Sequence, residues 1–469
     1  MTTAFRPPRV APDPRALAEL GTRLRGTVIS PGDGSYESQR RVWNGSIDRY
    51  PAAIARCVHA SDVATALAFA RANGMLVAVR GGGHSFPGHS VCDDGVVIDL
   101  SPMKGIRVDP ERRTVRVQAG VLLGELDQAT QAHGLAVPAG IVTHTGVAGL
   151  TLGGGIGWIM RKHGLTIDNL LSADVVTAGG ELVRASTTEN ADLFWGLRGG
   201  GGNFGIVTEF EFRLTPLGPD VFAGPVFWPI EDAPQVLRFY RNWVADCPDE
   251  LMTIVVTRRA LDLPGVPREM VGRHVIAVTA CYAGPIGDGE KMLRPLKSFG
   301  RPSLDLCRPK PYIVHQSTFD PGFPHGWWYY VRACDVAELT DDVIDIVADR
   351  GQRIVSPITG IALWQMGGAV TRVGNDETAF HGRGAGFTFN INGNAYSADG
   401  FDVEREWVRD YWSALTPHHT GVYVNFLMDE GQERIRQAYG AAKYDRLKAL
   451  KRRYDPDNVF RLNQNIRPD

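Results

Sequence analysis

The sequence predicts a mixed α+β fold with more than one domain. Three observations lead to this prediction: a strand–helix–strand pattern near the N-terminus, later strands in which apolar and polar residues alternate, and a chain of 469 residues. A chain of that length is enough for two or three domains. Hydrophobic residues make up 43% and charged residues 22% of the chain, an ordinary globular composition that needs no disulfide framework.

The first unit is predicted between Ile54 and His84. The apolar run AIARCV is a short buried strand, Ser61 is suited to the N-cap of the following helix, and Asn73-Gly74 ends that helix. The run MLVAV then forms a second buried strand. Because strand–helix–strand units of this length usually join parallel strands, we expect these two strands to be parallel. The second strand leads directly into a glycine-rich loop that contains His84.

The next part of the chain favours strands whose two faces differ. Residues 114–119 and 204–214 alternate between apolar and polar side chains, which is typical of half-buried strands. Residues 174–185 have a hairpin pattern with Gly179-Gly180 at the turn. A helix is predicted over residues 120–133.

The glycine-rich pattern stops at the run LTPLGP, residues 214–219. Residues 220–425 mix strand runs such as HVIAVTACY with helical stretches, which predicts a second α+β domain. A further helical stretch is predicted over residues 433–454.

Charge and composition exclude several classes of function. A net charge of −2, from 50 basic and 52 acidic residues without long blocks of one sign, gives no electrostatic footprint for nucleic acid or a membrane surface. The N-terminus lacks the apolar core of a secretory signal, and no apolar run approaches the ~20 residues that span a bilayer. The six cysteines form no CxxC pair, so we expect reduced thiols rather than disulfides or metal ligands. We therefore predict a cytoplasmic protein.

The 54 glycines are concentrated in three clusters, at residues 80–88, 140–157 and 199–205. Glycine lets backbone amides approach a phosphate closely, so such loops suit a dinucleotide. A single cluster can equally be a set of tight turns, whereas three in one domain favour a cofactor. Gly200-x-Gly202-x-x-Gly205 matches the nicotinamide-dinucleotide fingerprint, but it precedes a predicted strand instead of a helix, and we reject it.

Five motifs resemble those of a known flavoprotein family. In chain order they are RGGGHSFPGHS, PAGIVTHTGVAGLTLGGGIGW, LFWGLRGGGGNFGIVTEFEF, YVNF and YDPDNVFRLNQNI. Together they resemble the berberine-bridge-enzyme-like branch of the vanillyl-alcohol-oxidase/PCMH flavoproteins, in particular bacterial members that carry FAD on a single histidine. The resemblance covers nearly the whole chain.

The resemblance implies an FAD-binding domain of the PCMH type, made of two α/β subdomains, and a substrate domain in which helices back an antiparallel sheet. The first domain would take residues 1–217 and a returning C-terminal segment, residues 426–469. The substrate domain would take residues 218–425.

His84 is the residue that the resemblance assigns to a covalent bond with the flavin 8α-methyl carbon. A neutral imidazole, with an ordinary pKa of ~6.5, is a competent nucleophile near pH 7. The alternative is an unmodified loop histidine. Many relatives add a cysteine bond, but Val142 stands at that position, so we predict a single bond. His144 either faces the flavin or caps a turn.

Other cofactor contacts follow from the same resemblance. They are expected at Arg80, Gly81, Gly82, Gly83, Ser85, Gly88, His89, Gly140, His144, Thr145, Gly146, Gly149, Gly153, Gly154, Gly157, Gly205, Ile206, Val207, Tyr423, Asn425, Asn463 and Asn465.

Two of these residues are also predicted to act in the reaction. In the family, the position of Thr145 lies beside flavin C4a, where valine accompanies oxidases and larger residues accompany dehydrogenases. Threonine has the shape of valine, so the resemblance favours an oxidase. Tyr423 and Asn425 are two residues apart on a strand-like run, so both should share one face. Tyr423 is the candidate base, although its phenol has an ordinary pKa of ~10, and a purely positional or core role stays open.

The substrate pocket is less well defined by the sequence. Trp364, Gln365, Asn390 and Asn392 are the main candidates, because the runs 365–370 and 387–392 are expected on strands of the substrate sheet. The wider set is Trp327, Trp328, Tyr329, His381 and Arg383. Aromatic residues of this kind more often belong to a core than to a pocket.

The sequence therefore predicts an FAD oxidase that oxidises a small organic molecule of the secondary-metabolite type by hydride transfer to flavin N5, with dioxygen as acceptor. The alternatives are a dehydrogenase, an oxygenase that uses a flavin–oxygen adduct, and a flavin-binding protein without catalysis. No metal is expected, and the protein is expected to be a monomer or a homodimer.

Overall fold

A computed structural model describes residues 13–469 of the chain. The prediction that the chain has no secretory signal concerns its N-terminus. Residues 1–12 of that segment lie outside the described residues. Across residues 13–469, no helix is both long enough and apolar enough to cross a membrane.

The first sheet is formed close to the N-terminus. Its strands are β1 (Thr27–Ile29), β2 (Ala53–Arg56), β3 (Val77–Arg80) and β4 (Val96–Asp99), in the order β1-β2-β4-β3. β2 and β3 are parallel, as predicted, but β4 lies between them and pairs with both. The helix between β2 and β3 begins at Ala60 and not after Ser61, because His59 is the N-cap and its ring accepts a hydrogen bond from the Ser61 amide.

The second sheet is antiparallel and also belongs to the N-terminal half. The strands in this part of the chain are β5 (Ile106–Asp109), β6 (Thr114–Gln118), β7 (Leu135–Ala136), β8 (Leu170–Val176), β9 (Leu182–Ser186), β10 (Ile206–Arg213) and β11 (Thr215–Pro216). Five of them form the sheet β5-β6-β10-β8-β9, while β7 pairs with β11. β8 and β9 are the hairpin predicted around Gly179-Gly180. The apolar face of β10 is buried, as its alternating pattern predicts.

The largest sheet has nine strands, all between Asp220 and Gly421. They are β12 (Asp220–Pro229), β13 (Leu251–Arg259), β14 (His274–Tyr282), β15 (Leu304–Asp305), β16 (Arg308–Pro311), β17 (Trp328–Val336), β18 (Gly360–Gln365), β19 (Phe387–Ala395) and β20 (His419–Gly421). Their order is β15-β12-β14-β13-β18-β19-β17-β20, with β16 also paired to β12, and every pairing is antiparallel.

Helices connect and cover these sheets. The α-helices of the described residues are α1 (Pro14–Arg23), α2 (Tyr36–Gln39), α3 (Ala60–Ala72), α4 (Leu123–Gln131), α5 (Val147–Leu152), α6 (Met160–His163), α7 (Ala191–Leu197), α8 (Ala233–Ala245), α9 (Ile286–Ser298), α10 (Tyr312–Gln316), α11 (Asp341–Gln352), α12 (Ala369–Arg372), α13 (Phe401–Leu415), α14 (Gln432–Tyr439) and α15 (Ala441–Tyr454). Short 3₁₀ turns are formed by Thr166–Asn169, Ile230–Asp232, Asp320–Gly322, Asn375–Glu377, Thr416–His418 and Val424–Phe426.

The two faces of the nine-stranded sheet have different neighbours. Apolar residues of α8, α9, α11 and α13 form one buried cluster with one face of the sheet. On the other face, Ile254 and Val256 of β13 share a cluster with Ile156 and Trp158 from the second glycine-rich loop. The sheet is therefore covered by helices on one side and by the N-terminal half of the chain on the other. This is the arrangement in which a site can form between the two.

The C-terminal segment packs onto the first two sheets. Ile435, Leu447 and Ile466 belong to the same core cluster as residues of β6 and β10. The buried Lys451 ammonium donates to the backbone oxygens of Asn203 and Phe460 at 2.9 and 2.8 Å. These contacts fix the terminal residues beside the third glycine-rich loop.

One helix prediction and one strand prediction near the C-terminus are wrong. The helix predicted over residues 433–454 is divided at Gly440, whose φ of +71° is left-handed and where a Cβ would lie 2.8 Å from the His381 ring. The strand predicted around Tyr423 ends at Gly421, and residues Val424–Phe426 form a 3₁₀ turn.

A buried carboxyl group links the two halves of the chain. Asp127 on α4 is 2% exposed, and its side chain accepts a hydrogen bond from Gln316 Nε2 of α10 at 2.9 Å. The same Gln316 amide donates to the backbone oxygen of Gly140, the first residue of the second glycine cluster. Burial raises the pKa of the Asp127 carboxyl to about 7, although the hydrogen bond from Gln316 lowers it.

This carboxyl should make the stability of the protein depend on pH. Between about pH 4, its pKa in an unfolded chain, and about pH 7, the folded state keeps a proton that the unfolded state has lost, so stability falls as pH rises. We expect the melting temperature of Asp127→Asn to fall less than that of the wild type between pH 5 and pH 8. An equal or steeper fall in the variant would contradict this assignment.

Candidate active site

A cavity of about 360 Å³ lies among the glycine-rich loops, the nine-stranded sheet and the C-terminal segment. This volume is within the range of ~300–1,000 Å³ that is usual for ligand pockets, and most of the lining side chains are apolar. The predicted site residues that line it are Gly81, Gly82, Gly83, His84, Ser85, His89, Gly140, Thr145, Gly146, Gly149, Gly205, Ile206, Val207, Trp364, Asn390, Tyr423, Asn425 and Asn463.

Other predicted site residues do not line the cavity. They are Arg80, Gly88, His144, Gly153, Gly154, Gly157, Gln365, Asn392 and Asn465. The Arg80 guanidinium donates to both carboxylate oxygens of the buried Asp99, at 3.0 and 2.9 Å, and so fixes the strand end from which the first loop starts. Gly88 and Gly157 have no room for a side chain. A Cβ on Gly88 would lie 2.6 Å from the Ile47 side chain, and a Cβ on Gly157 would lie 1.5 Å from the backbone oxygen of Ala139.

Gly153 and Gly154 make room for two residues of the cavity. A Cβ on Gly153 would lie 2.0 Å from Asn425 Oδ1, and one on Gly154 would lie 3.2 Å from the Tyr423 ring. Asn465 contributes its backbone oxygen to a hydrogen bond from Gln432, at 3.3 Å.

The first glycine-rich loop has the backbone donors that an acceptor-rich cofactor needs. Gly82, Gly83, His84 and Ser85 line the cavity, and their amides donate to no described residue. Such a row of free N–H groups is a binding concavity for phosphate or carbonyl oxygens. A Cβ on Gly82 would lie 2.4 Å from the Gly146 nitrogen, so the first and second loops are in backbone contact. With the apolar walls, these donors fit a dinucleotide that carries a flat aromatic ring system.

The His84 ring is held on two sides. Its Nε2 lies 2.6 Å from Nδ1 of His144, and its face stacks on Trp43 with a centroid distance of 4.5 Å and an interplanar angle of 21°. Trp43 in turn stacks on Tyr329 of β17 at 3.8 Å. The imidazole therefore has one orientation, fixed jointly by the N-terminal loops and the nine-stranded sheet.

His84, His144 and the exposed His325 form a group whose ligand nitrogens lie within 4.8 Å of one another. Burial and the two neighbouring imidazoles lower the pKa of His84 well below its ordinary value, and burial also lowers those of His144 and His325. At neutral pH His84 is thus an uncharged nucleophile.

Val142 and Thr145 both line the cavity on the second loop. The Thr145 amide donates to the Val142 oxygen at 3.1 Å, and the Thr145 oxygen accepts from Leu123 at 2.9 Å, so the backbone of this turn is fixed. The Thr145 hydroxyl makes no hydrogen bond to a described residue. It is therefore free to bind a ligand in the cavity.

Tyr423 and Asn425 lie together in the cavity, as expected, although the 3₁₀ turn and not a strand brings them there. The Tyr423 hydroxyl oxygen accepts hydrogen bonds from the Gly155 amide at 2.9 Å and from Asn425 Nδ2 at 2.8 Å. Burial raises the pKa of Tyr423 to about 12, while the two N–H donors lower it. The phenol is neutral at pH 7, and its own hydrogen is not used by either bond.

Of the main pocket candidates, Trp364 and Asn390 line the cavity. Gln365 points to the opposite face of β18, where its amide contacts Thr253 and Cys247. Asn392 donates to Asn390 and supports it from the next position on the same face. The run 365–370, expected to be a strand, leaves the sheet after Gln365.

Members of the wider set have other partners. Trp327 and Trp328 contact Tyr396 and Phe401, and Tyr329 stacks on Trp43. Arg383 pairs with Asp168, and His381 lies against Gly440. None of these five lines the cavity.

Two residues beside His84 were missed by the sequence analysis. Trp43 lies in a loop before β2 and His325 in a loop before β17, and neither belongs to a motif or a periodic run. Only the folded chain brings them to His84. Phe319 and Phe323 of the cavity wall were missed for the same reason, whereas Phe426 lies within the YVNF motif and was not singled out there.

Comparison with known proteins identifies the family. Residues 51–186 match the family model for an FAD binding domain, and residues 422–467 match the model described as berberine and berberine like. The chain is 32% identical over 456 residues to an uncharacterized FAD-linked oxidoreductase of Bacillus subtilis, covering 95% of this chain and 98% of the relative. It is 30% identical over 461 residues to (R)-6-hydroxynicotine oxidase of Paenarthrobacter nicotinovorans, covering 95% and 97%.

A solved structure agrees with these matches. The crystal structure of 6-hydroxy-D-nicotine oxidase from Arthrobacter nicotinovorans superposes with a TM-score of 0.86 at 28% identity, covering 95% of this chain and 98% of the other. The predicted α+β fold of the PCMH type and the predicted cofactor FAD are thereby confirmed. The chain belongs to the berberine-bridge-enzyme-like family of FAD-linked oxidoreductases.

Proposed function

We propose that this protein is an oxidase that holds FAD through one covalent bond, to His84, and oxidises a small organic molecule with dioxygen as electron acceptor. The observation that carries the proposal is His84 itself, a neutral imidazole on the cavity wall within a row of free amides. Bound FAD supplies the chemistry of hydride acceptance at N5. Val142 has no nucleophilic group, which supports a single bond.

The residues of the cavity suggest how the cofactor is held. The amides of Gly82, Gly83 and Ser85 are donors for its oxygens. At the C-terminal side, Asn463 Nδ2 donates to the backbone oxygens of Gly202 and Phe460, which leaves its unpartnered Oδ1 as an acceptor for an N–H of the cofactor. Relatives of this chain are named as oxidases of 6-hydroxynicotine and of xylooligosaccharides. The apolar wall of Phe319, Phe323, Trp364 and Phe426 favours an aromatic or otherwise apolar substrate over a sugar.

Tyr423 is proposed as the residue that receives a proton from the substrate. Two N–H donors to its oxygen stabilise the phenolate, while burial opposes it, so the balance depends on the bound substrate. Asn425 and Gly155 hold the oxygen in place. Asn390 and Trp364 are proposed to position the substrate from the sheet.

One observation favours a second candidate function, an oxygenase that places oxygen in the product. The Thr145 hydroxyl lines the cavity without a protein partner and can donate a hydrogen bond to a bound oxygen species. The yield of hydrogen peroxide per oxidised substrate separates the two: a yield near one identifies an oxidase, and a yield near zero with oxygen uptake identifies an oxygenase.

Thr145→Leu tests the use of dioxygen. The larger side chain should fill the space beside the cofactor, so we expect reoxidation of the reduced flavin by dioxygen to slow by at least about tenfold. Photoreduction without air, followed by mixing with aerated buffer, measures this rate without a substrate. Thr145→Val, which keeps the volume, is the matched control and should reoxidise as the wild type does. Slow reoxidation of the wild type itself, unchanged in Thr145→Leu, would indicate a dehydrogenase.

A further inference from the structure

We propose that His144 prepares His84 for the covalent bond: it fixes the tautomer of the His84 imidazole and accepts its Nε2 proton when the bond forms. This inference rests on the proposed attachment of FAD to His84. It assigns His144 the role of a positioning residue, because His144 acts through His84 and does not line the cavity itself.

The contact between the two rings carries the inference. His84 Nε2 and His144 Nδ1 are 2.6 Å apart, and the ring centroids are 4.7 Å apart. Trp43 covers the face of His84, so its ring cannot turn away from His144 without losing the stack. Nδ1 of His84 has no hydrogen-bond partner among the described residues, which leaves it available to a ligand in the cavity.

The position of the proton follows from the charge state of the pair. Burial and neighbouring imidazoles hold both rings neutral at pH 7, so each ring carries one N–H and one bare nitrogen. If His84 donates from Nε2, its Nδ1 is bare and can act as a nucleophile. If His84 instead accepts a hydrogen bond from His144 at Nε2, its own N–H is at Nδ1. The one bare nitrogen of the His84 ring is then Nε2, and its lone pair is engaged by His144. Only the first arrangement makes His84 reactive toward a ligand in the cavity.

Bond formation then requires a place for two protons and two electrons. The Nδ1 lone pair of His84 forms the new C–N bond to the 8α carbon, and one C–H bond of that methyl group breaks. The flavin ring retains the electron pair and is reduced by two electrons, and dioxygen reoxidises it and leaves as hydrogen peroxide. The two protons of the hydrogen peroxide are equal in number to the two that are released, one from the methyl group and one from Nε2 of His84. His144 Nδ1 is the acceptor in place for the second of them.

His325 gives this proton a route away from the half-buried pair of His84 and His144. Its ring centroid lies 5.0 Å from that of His144, and the residue is exposed. The Asp320 carboxylate accepts bonds from the amide and hydroxyl of Thr143, and its charge raises the pKa of His144 against the effect of burial. His144 is therefore the member of the group best placed to carry a transient positive charge.

The test is the rate of covalent attachment in full-length apoprotein. Protein made in a riboflavin-starved host is mixed with FAD in air, and samples are denatured in acid and separated on a gel that shows covalent flavin by fluorescence. We expect His144→Leu to slow attachment about 100-fold or more, as loss of general base catalysis does. His144→Gln keeps an acceptor for the His84 N–H but takes no proton, and should be slowed less than His144→Leu.

Three further measurements separate this role from a structural one. Free imidazole should restore attachment in His144→Gly, where it has room, but not in His144→Leu. Non-covalent FAD affinity and melting temperature of the variants should stay close to those of the wild type. His163→Leu removes another half-buried histidine, whose ring contacts the Thr215 hydroxyl and not His84, and should attach FAD at the wild-type rate. Attachment of FAD to His144→Leu at the wild-type rate would overturn the inference. A slower attachment that is accompanied by a lower melting temperature and is not restored by imidazole would overturn it as well. A wild type that binds FAD and never links it would instead refute the proposed function.

Discussion

Tyr423→Phe is expected to lower the rate at which substrate reduces the flavin by about 10²–10⁴-fold, the usual contribution of a general base. The variant removes one oxygen, whose two donors are the Gly155 amide and Asn425 Nδ2, and leaves the ring in its pocket against Phe380 and Phe426. The covalent flavin should be present in full. Anaerobic mixing with a substrate found by screening, followed at the flavin absorbance, gives the rate directly.

The pH dependence of this rate distinguishes a base from a donor. Burial raises the pKa of Tyr423 to about 12, so below that pH the phenolate fraction increases tenfold with each pH unit. If Tyr423 is the base, the rate of flavin reduction in the wild type should increase by the same factor between pH 7 and pH 9. Tyr411→Phe is the control, since this fully buried tyrosine lies on α13 and its hydroxyl has no partner among the described residues. Equal rates in Tyr423→Phe and the wild type would remove Tyr423 from the reaction.

His84→Ala is expected to abolish covalent attachment altogether while the protein still binds FAD. The free amides of Gly82, Gly83 and Ser85 remain in this variant, so the cofactor keeps its backbone donors and loses only the bond. The variant should also be a weaker oxidant than the wild type, because attachment is expected to raise the flavin potential. Intact-mass analysis and a redox titration against a reference dye measure the two effects.

The control for this variant comes from the same loop. His89→Gln changes a half-buried histidine that lines the cavity and lies five residues after His84. Desolvation lowers the pKa of His89 to about 4, and the variant should retain the covalent flavin. Covalent flavin in His84→Ala would show that another residue is the point of attachment.

The parts of the fold that follow local rules could be predicted from the sequence. The hairpin of β8 and β9 has its glycine pair at the turn, and β10 has a strict alternation, so short-range patterns were sufficient. The insertion of β4 between β2 and β3 is a long-range pairing that no local pattern contains. Gly440 interrupts a helix with a φ of +71°, and a Cβ there would lie 2.8 Å from the ring of His381, a residue 59 positions earlier in the sequence.

The candidate site divides in the same way. The glycine-rich loops and His84 carry their own signal, because close backbone approach demands glycine at particular positions such as Gly82 and Gly157. Trp43 and His325 have no such signal: their side chains matter only because β17 and the preceding loop meet the first glycine-rich loop. Tyr423 and Asn425 were expected to share a face through strand alternation, and a 3₁₀ turn brings them together instead.

The attachment of FAD to His84 is the claim on which the other proposals depend, and one measurement tests it most directly. Wild-type protein is denatured in acid, pelleted and washed, and the flavin absorbance of pellet and supernatant is compared. We predict that the yellow colour stays with the wild-type polypeptide, in a peptide that contains His84, and moves to the supernatant for His84→Ala. A colourless wild-type pellet beneath a supernatant that holds all of the flavin would contradict the account.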